Sequence, residues 1–521
     1  MQPLIEGFLS LSPTLLLAAA LGVLLAQFVA VVPGLGGAFL LAVLLPFLFG
    51  LDPLVAIAVM VAASVTTGSG NTVTSVVFGV PGSPMGVATV FDGYPMAKQG
   101  LAGRAIGAGM MASLVGGVIG AVALLIMIPV IRPFVLAIGA AEFFVLIVIA
   151  LYAIAMVREE SLIKGLVSGG LGIVLSFVGQ ERSTGVTRLT FGETYLFDGI
   201  HIVPFMIGLF AVAEMIDLIK KRGSIAEEEV DTSKVGGVIQ GCLDVFRHWR
   251  ATVQSSVVGL LVGILPGLGG SAAQFMAYAQ VAKMSKEPEK FGRGSVEGVI
   301  AADAATNSKD GGALIPSLAF GIPGSASMAI LLAAFITFGV QPGPRFLEEN
   351  QALLWTIIFV LIFANLVATV LILSFTRFFV KLTKVRASLL VPVILVISLF
   401  GAFATNRHVG DIWVVVGIGL LGYAMKKYNY SRATFVIGFV LGPLLESNLQ
   451  LSLQLFGPWF LWNRPIARAM VFLLLLGIVW SIVRSLRERS RATEAGDEDD
   501  PAARLEEMMR SAREKKEGEE D

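Results

Sequence analysis

Long apolar runs alternate with tight clusters of glycine, proline and small polar residues along most of this chain. Length and flanking breakers predict first-half helices over 11–32, 39–49, 54–65, 73–80, 103–130, 134–157, 162–178 and 202–219. In the second half they predict 252–265, 272–282, 296–305, 313–320, 327–338, 353–379, 387–403, 412–425, 433–445 and 469–483. A full crossing of hydrocarbon takes about 20 residues. The shorter runs sit beside the glycine–proline clusters. A helix that stops inside a bilayer frees backbone groups that need protein, water or ligand partners, so these pieces predict re-entrant hairpins around a cavity.

The clusters come in pairs. V-P-G-L-G-G at 32–37 matches L-P-G-L-G-G at 265–270. G-N-T-V-T-S-V-V-F-G-V-P-G-S at 70–83 aligns without a gap to G-A-L-I-P-S-L-A-F-G-I-P-G-S at 312–325. F-x-I-G then recurs at 205–208 and 435–438. Three paired signals in one order indicate an internal repeat. Pro33, Gly34, Gly36, Gly37, Pro81, Gly82 and Ser83 are hairpin-tip candidates, with Pro266, Gly267, Gly269, Gly270, Pro323, Gly324 and Ser325 as their partners. Proline fixes φ and lacks an N–H, while glycine lets neighbouring backbone approach a ligand.

Charge sharpens this outline. Hydrophobic residues make up 55% of the 521 positions and charged ones 15%, against roughly a quarter in soluble domains. No Lys or Arg precedes Lys98, whereas the chain from Arg484 onward is crowded with charges. Short basic loops stay in the cytoplasm, which places the 220–250 connector and the 484–521 tail there. One helix outside the repeat (469–483) then makes the first repeat (1–219) run inward and the second (251–468) outward. The expected fold is an all-α polytopic membrane protein of two inverted-topology repeats, with re-entrant hairpins, broken helices and a polar tail. Its N-terminus lies outside, its C-terminus in the cytoplasm. Arg464 and Arg468, which fall outside in this scheme, count mildly against it.

Candidate chemistry gathers in two polar stretches, 66–72 and 303–312, read as unwound interruptions of apolar helices. Ser69, Gly70, Asn71 and Thr72 in the first, Ser75 just beyond it, and Asp303, Thr306, Asn307, Ser308, Lys309 and Asp310 in the second are candidates to bind substrate or ion. Short hydroxyls and amides offer neutral oxygens, and opposed half-helix N-termini can hold a carboxylate. The alternative reading is that these groups only cap half-helices. Lys309 could meet a substrate carboxylate or neutralise Asp310. Asn71 and Asn307 are read as paired ligands; Asn365, on an apolar helix, is expected to lie apart from the site. Asp92, Lys98, Arg104, Glu142 and Glu446 read as loop or interface anchors, and Cys242 as incidental. His201 and His408 lack metal-spaced companions. No H-E-x-x-H, no G-x-x-x-x-G-K-[ST] and no nucleophile–base pair occurs, which argues against an enzyme.

At these residues the chain resembles the large membrane subunit of tripartite tricarboxylate transporters. The likeness runs from the first P-G-L-G-G to L-G-P-L-L-E-S-N-L at 441–449. It includes F-D-G-Y-P at 91–95, T-G-V-T-R-L-T-F-G at 184–192 and G-S-V-E-G-V at 294–299. It implies an inner-membrane permease driven by an ion gradient, working with a small membrane subunit and a periplasmic substrate-binding protein. It further implies citrate-like or other small carboxylates as substrates; the neutral oxygens of the site favour Na+ as coupling ion, with Asp303 or Asp310 able to carry H+ instead, and no other cofactor is expected. The family's usual Tyr-Gly-Gly-Ser stands here as Ser69-Gly70-Asn71-Thr72, and its Glu-Ala-Ala-Asn-Asn as Asp303-Ala-Ala-Thr306-Asn307. A carrier that works alone and an ion channel are the alternatives.

Overall fold

A computed structural model of the chain describes residues 2–32, 34–157, 162–181, 185–220, 236–267, 269–382 and 387–494. Pro33, Thr184, part of the connector and the end of the tail lie outside the described residues.

In chain order the helices are α1 (Gln2–Leu9), α2 (Pro13–Ala30), α3 (Gly37–Leu44, extended by a 3-10 turn, Leu45–Leu48), α4 (Pro53–Phe78), α5 (Val87–Lys98), α6 (Ala102–Ala137), α7 (Ala140–Val157) and α8 (Leu162–Ser176). A two-stranded hairpin, β1 (Gly179–Gln180) with β2 (Thr187–Arg188), leads to α9 (Ile202–Met206), which passes through a π-helical stretch (Ile207–Val212) into α10 (Ala213–Lys220). Then come α11 (Val238–Arg247), α12 (Trp249–Ile264), α13 (Gly269–Met284), α14 (Val296–Phe320), α15 (Ala326–Thr337), α16 (Phe346–Glu349) and α17 (Gln351–Leu382). The chain closes with α18 (Ala387–Asn406), α19 (Gly410–Lys427), α20 (Arg432–Phe456), α21 (Phe460–Asn463) and α22 (Pro465–Glu494). Among the described residues, six segments have the length and apolarity to cross a membrane: α2, α4, α6, the α9–α10 rod, α17 and α20.

Packing partners recur between the halves with roles exchanged. α2 lies on α4 as α12 lies on α14; α17 flanks α4 as α6 flanks α14; α1 rests on α17 as α11 rests on α6. The contacts are close because glycines line them. Gly109, Gly116 and Gly120 of α6 face Asp303, Ala304 and Ser308, while Gly259 and Gly263 of α12 face Ala305 and Lys309. A β carbon at any of these would collide with α14, so small residues let the helices approach as van der Waals packing in a membrane requires. α2 and α4 run parallel, with Gly22 against Val59, Gln27 against Thr66 and Ala30 against Gly70. The short α3 between them is therefore a return, and α2–α3 is a helical hairpin.

Two expectations change. The polar stretches do not interrupt their helices: the runs predicted at 54–65 and 73–80 are one helix, α4, and those at 296–305 and 313–320 are α14. Their hydroxyls bond back to carbonyls one turn earlier, Thr66 to Ala62 (2.7 Å), Thr67 to Ser64 (3.0 Å) and Thr306 to Ala302 (3.0 Å), so polarity is absorbed without unwinding. The breaks come one or two turns later, at the left-handed C-caps Gly79 (φ 64°) and Gly321 (φ 65°). The connector is not purely hydrophilic coil, since α11 forms within it and exposes Ile239, Leu243 and Phe246.

Candidate functional site

Each half closes its hairpin tips with one main-chain bond. Gly34 N–H donates to the Gly82 carbonyl (2.9 Å), and Gly267 N–H to the Gly324 carbonyl (3.0 Å). The predicted tips therefore meet in pairs, Gly34 against Gly82 and Gly267 against Gly324. Ser83 and Ser325 accept from Met85 N–H and Met328 N–H, opening the helices that follow. The tips also touch across the halves. A β carbon at Gly37, where α3 begins, would lie 2.7 Å from Thr67 Oγ1 and 3.2 Å from Ser327 Oγ at the start of α15. Gly270, at the start of α13, is pressed against Met85 just before α5. Four helix N-termini thus approach the middle of the molecule in two facing pairs.

Between them α4 and α14 cross antiparallel. Asn307 Nδ2 donates to Ser69 Oγ (2.8 Å), and one turn further along α4, Thr72 stands opposite Asp303, one turn back along α14. Asp303 accepts from Thr89 Oγ1 (3.0 Å). Every candidate on these two rungs is at most 2% exposed. Several oxygens here have no hydrogen-bond donor: Gln27 Oε1, Asn71 Oδ1, Asn307 Oδ1, Gln274 Oε1 and Asp303 Oδ2. Orphaned buried acceptors are uncommon and call for a partner.

The other candidates divide. Asn71 Nδ2 donates to Ser83 Oγ (2.8 Å), tying the first polar stretch to its own tip rather than to α14. Gly70 packs on Ala30 and Gln27, and Ser75 donates to the Gly86 carbonyl (2.9 Å), so both act within the first hairpin. Ser308 donates to the Ser256 carbonyl of α12 (2.8 Å), on the side of α14 away from α4. Thr306 accepts from Gln274 Nε2 (2.7 Å). Lys309 is paired with Asp310, and both are buried.

Asn71 and Asn307 meet different partners, Ser83 for the first and Ser69 with Asn365 for the second. In the gapless register set by the P-G-S motifs, Asn71 aligns with Ala313, and Asn307 aligns with Val65. Asn365 does not lie apart: its Oδ1 accepts from Asn307 Nδ2 at 2.6 Å. A lone amide in an apolar helix gave no local sign of this. Gln27, Gln274, Thr89 and Gly109 also escaped the sequence reading; only the buried glutamines, polar groups within apolar helices, carried any signal.

The anchors are partnered. Asp92 caps α14, accepting from Gly294 and Ser295 N–H (2.9 and 2.8 Å) and from Tyr278 (2.8 Å). Arg104 bonds Asp244 (2.5 Å), Glu142 bonds Arg464 (2.9 Å), and Glu446 holds Arg188 through two bonds (2.7 and 3.0 Å). Lys98 lies over the ring of Tyr94. Among the described residues no group of His, Cys, Asp and Glu could hold a metal ion.

A multi-pass helical protein with a buried polar centre between two duplicated hairpin pairs belongs to the class of membrane transporters rather than to soluble proteins. Residues 16–437 match the tripartite tricarboxylate transporter TctA family, and the chain belongs to that family. It is 31% identical over 483 residues to an uncharacterised 52.8 kDa protein from the TAR-I ttuC' 3' region of Agrobacterium vitis, covering 92% of this chain and 95% of that one. An uncharacterised protein from the TAR-II ttuC' 3' region of the same organism is 33% identical over 234 residues, covering 44% of this chain and 96% of that one. No solved structure matches the chain.

Proposed function

We propose that this chain is the large permease subunit of an uptake system for small carboxylates in the inner membrane, driven by a Na+ or H+ gradient. In this reading it receives substrate from a periplasmic binding protein and works beside a small membrane subunit. The observation that carries it is the antiparallel α4–α14 crossing between opposed helix N-termini. The positive ends of α3, α5, α13 and α15 favour an anion. The rungs Ser69–Asn307 and Thr72–Asp303 supply polar contacts from both halves at one depth. Gapless equivalents that meet head to tail are what two inverted repeats produce, and this supports alternating access around a fixed site. A pore is less well supported, because the centre is filled by side chains that bond one another.

The test is binding and uptake of a panel of mono-, di- and tricarboxylates by membranes carrying the chain, with and without its two partner subunits. Saturable uptake that needs the binding protein and collapses with the ion gradient is expected. Uptake without partners would favour a carrier that works alone. Unsaturable flux that follows only the substrate's own gradient would favour a channel.

A further inference from the structure

The buried carboxylates of this chain are answered in different ways. Asp92 takes three donated bonds; Asp244, Glu142 and Asp310 each face an Arg or Lys; Asp411 accepts from Tyr195 and Asn406 in the first turn of α19. Asp303 differs. It lies in mid-α14, 2% exposed, with Thr89 as its one hydrogen-bond donor of good geometry and no cation beside it among the described residues. Along α14 the nearest charges are six or seven residues away: Glu297, which meets His248 and Ser285, and the pair Lys309–Asp310. A lone buried carboxylate is costly unless something positive joins it.

What surrounds Asp303 is oxygen. Thr89 of α5 donates to Oδ1 and Thr72 of α4 stands beside the carboxylate, while Thr72 Oγ1 and Asp303 Oδ2 have no hydrogen-bond partner. Gly109 of α6 closes the remaining side. A β carbon there would collide with Oδ2 and lie 2.5 Å from Thr72 Cγ2. A carboxylate with two hydroxyls beside it supplies several hard oxygen lone pairs, the ligand set that a small hard cation takes.

We propose that Asp303, Thr72 and Thr89 form a sodium site, closed by Gly109, whose occupant offsets the carboxylate's charge for an anion held by the opposed helix N-termini nearby. This rests on the permease reading and adds the mechanism by which ion and substrate bind together. An anion one helical turn from Asp303 would stand roughly 6 Å from its carboxylate. At an effective dielectric of ~20, an uncompensated carboxylate at that distance weakens binding of a monoanion by about 100-fold. Sodium removes that repulsion, and the anion in turn retains the sodium.

The test needs no substrate. The purified chain in nanodiscs is melted in NaCl and in choline chloride of equal ionic strength, at pH 8. Sodium is expected to raise the wild-type Tm saturably. Asp303→Asn, which keeps the shape and removes the charge, is expected to melt above wild type in choline and to ignore sodium. Thr72→Val and Gly109→Ala are expected to need at least about 10-fold more sodium for half the effect. A sodium response that survives Asp303→Asn would place the ion elsewhere. Asp303→Asn melting below wild type in both salts would make the carboxylate structural. A wild type indifferent to sodium, yet stabilised by lowering the pH in an Asp303-dependent way, would assign a proton. Each of these three results overturns the proposal while leaving the permease reading intact. That reading fails separately if no carboxylate is taken up.

Discussion

Asn307 and Asn365 should behave as one unit. Asn307 Nδ2 carries two hydrogens, one given to Ser69 Oγ at 2.8 Å and the other to Asn365 Oδ1 at 2.6 Å. All three residues are 1% exposed, so solvent cannot replace a lost partner. Asn365→Ala strands one N–H hydrogen of Asn307, costing about 1–3 kcal/mol. Asn307→Ala strands both Asn365 Oδ1 and Ser69 Oγ, and should cost roughly 2–5 kcal/mol on the same scale. Once Asn307 is gone, Asn365 retains only its own bond to the Leu361 carbonyl (2.8 Å). The double variant should therefore cost little more than Asn307→Ala alone. The coupling should be about 1–2 kcal/mol, well beyond the ~0.5 kcal/mol scatter of independent sites. Reversible unfolding of the four proteins in mixed micelles with increasing SDS measures it. Single costs that simply add would refute the contact and return Asn365 to the role of bystander.

The two tips should respond oppositely to the same change. Gly82→Ala drives a methyl group to within 2.5 Å of Asn71 Oδ1 and closer to the Ala30 carbonyl, whereas Gly324→Ala meets nothing nearer than 3.4 Å. Folding yield on size-exclusion chromatography should fall for the first and stay at the wild-type level for the second. For topology, reporter fusions at Ser10 and Glu494 should lie on opposite faces of the membrane, N-terminus outside; the same face for both would end the inverted-repeat reading.

Most of the architecture could be read from the chain because its signals are local. The P-G-L-G-G and P-G-S motifs mark where backbone must turn, and a turn is decided by the few residues in it. The polar stretches misled for the converse reason. Thr66, Thr67 and Thr306 look like helix breakers by composition, but each satisfies its hydroxyl on the preceding turn, and their glycines are packed against neighbouring helices. Whether a polar residue breaks a helix depends on what presses against it, which only the fold decides. Ser69, Thr72, Asp303 and Asn307 were found because they are dense in polarity. Gln27, Thr89, Gln274 and Asn365 each stand alone among apolar residues and reach the centre from α2, α5, α13 and α17. Their membership is a property of four helices meeting, at which only the two glutamines, polar groups within apolar helices, gave any hint.

The bond that closes each tip has an unusual genetic status. Donor and acceptor are both main-chain atoms of glycines, Gly34 to Gly82 and Gly267 to Gly324. No side-chain replacement removes either group. Proline, the one coded residue without an N–H, is held near φ −65°, far from the +92° and +91° found at Gly34 and Gly267. A saturation screen at these positions would therefore report backbone strain at every substitution and the bond at none. Chemical synthesis can do what mutation cannot: an ester linkage in place of the amide at residue 34 or 267 deletes the donor alone, and would show how much of the closure each tip owes to a single hydrogen.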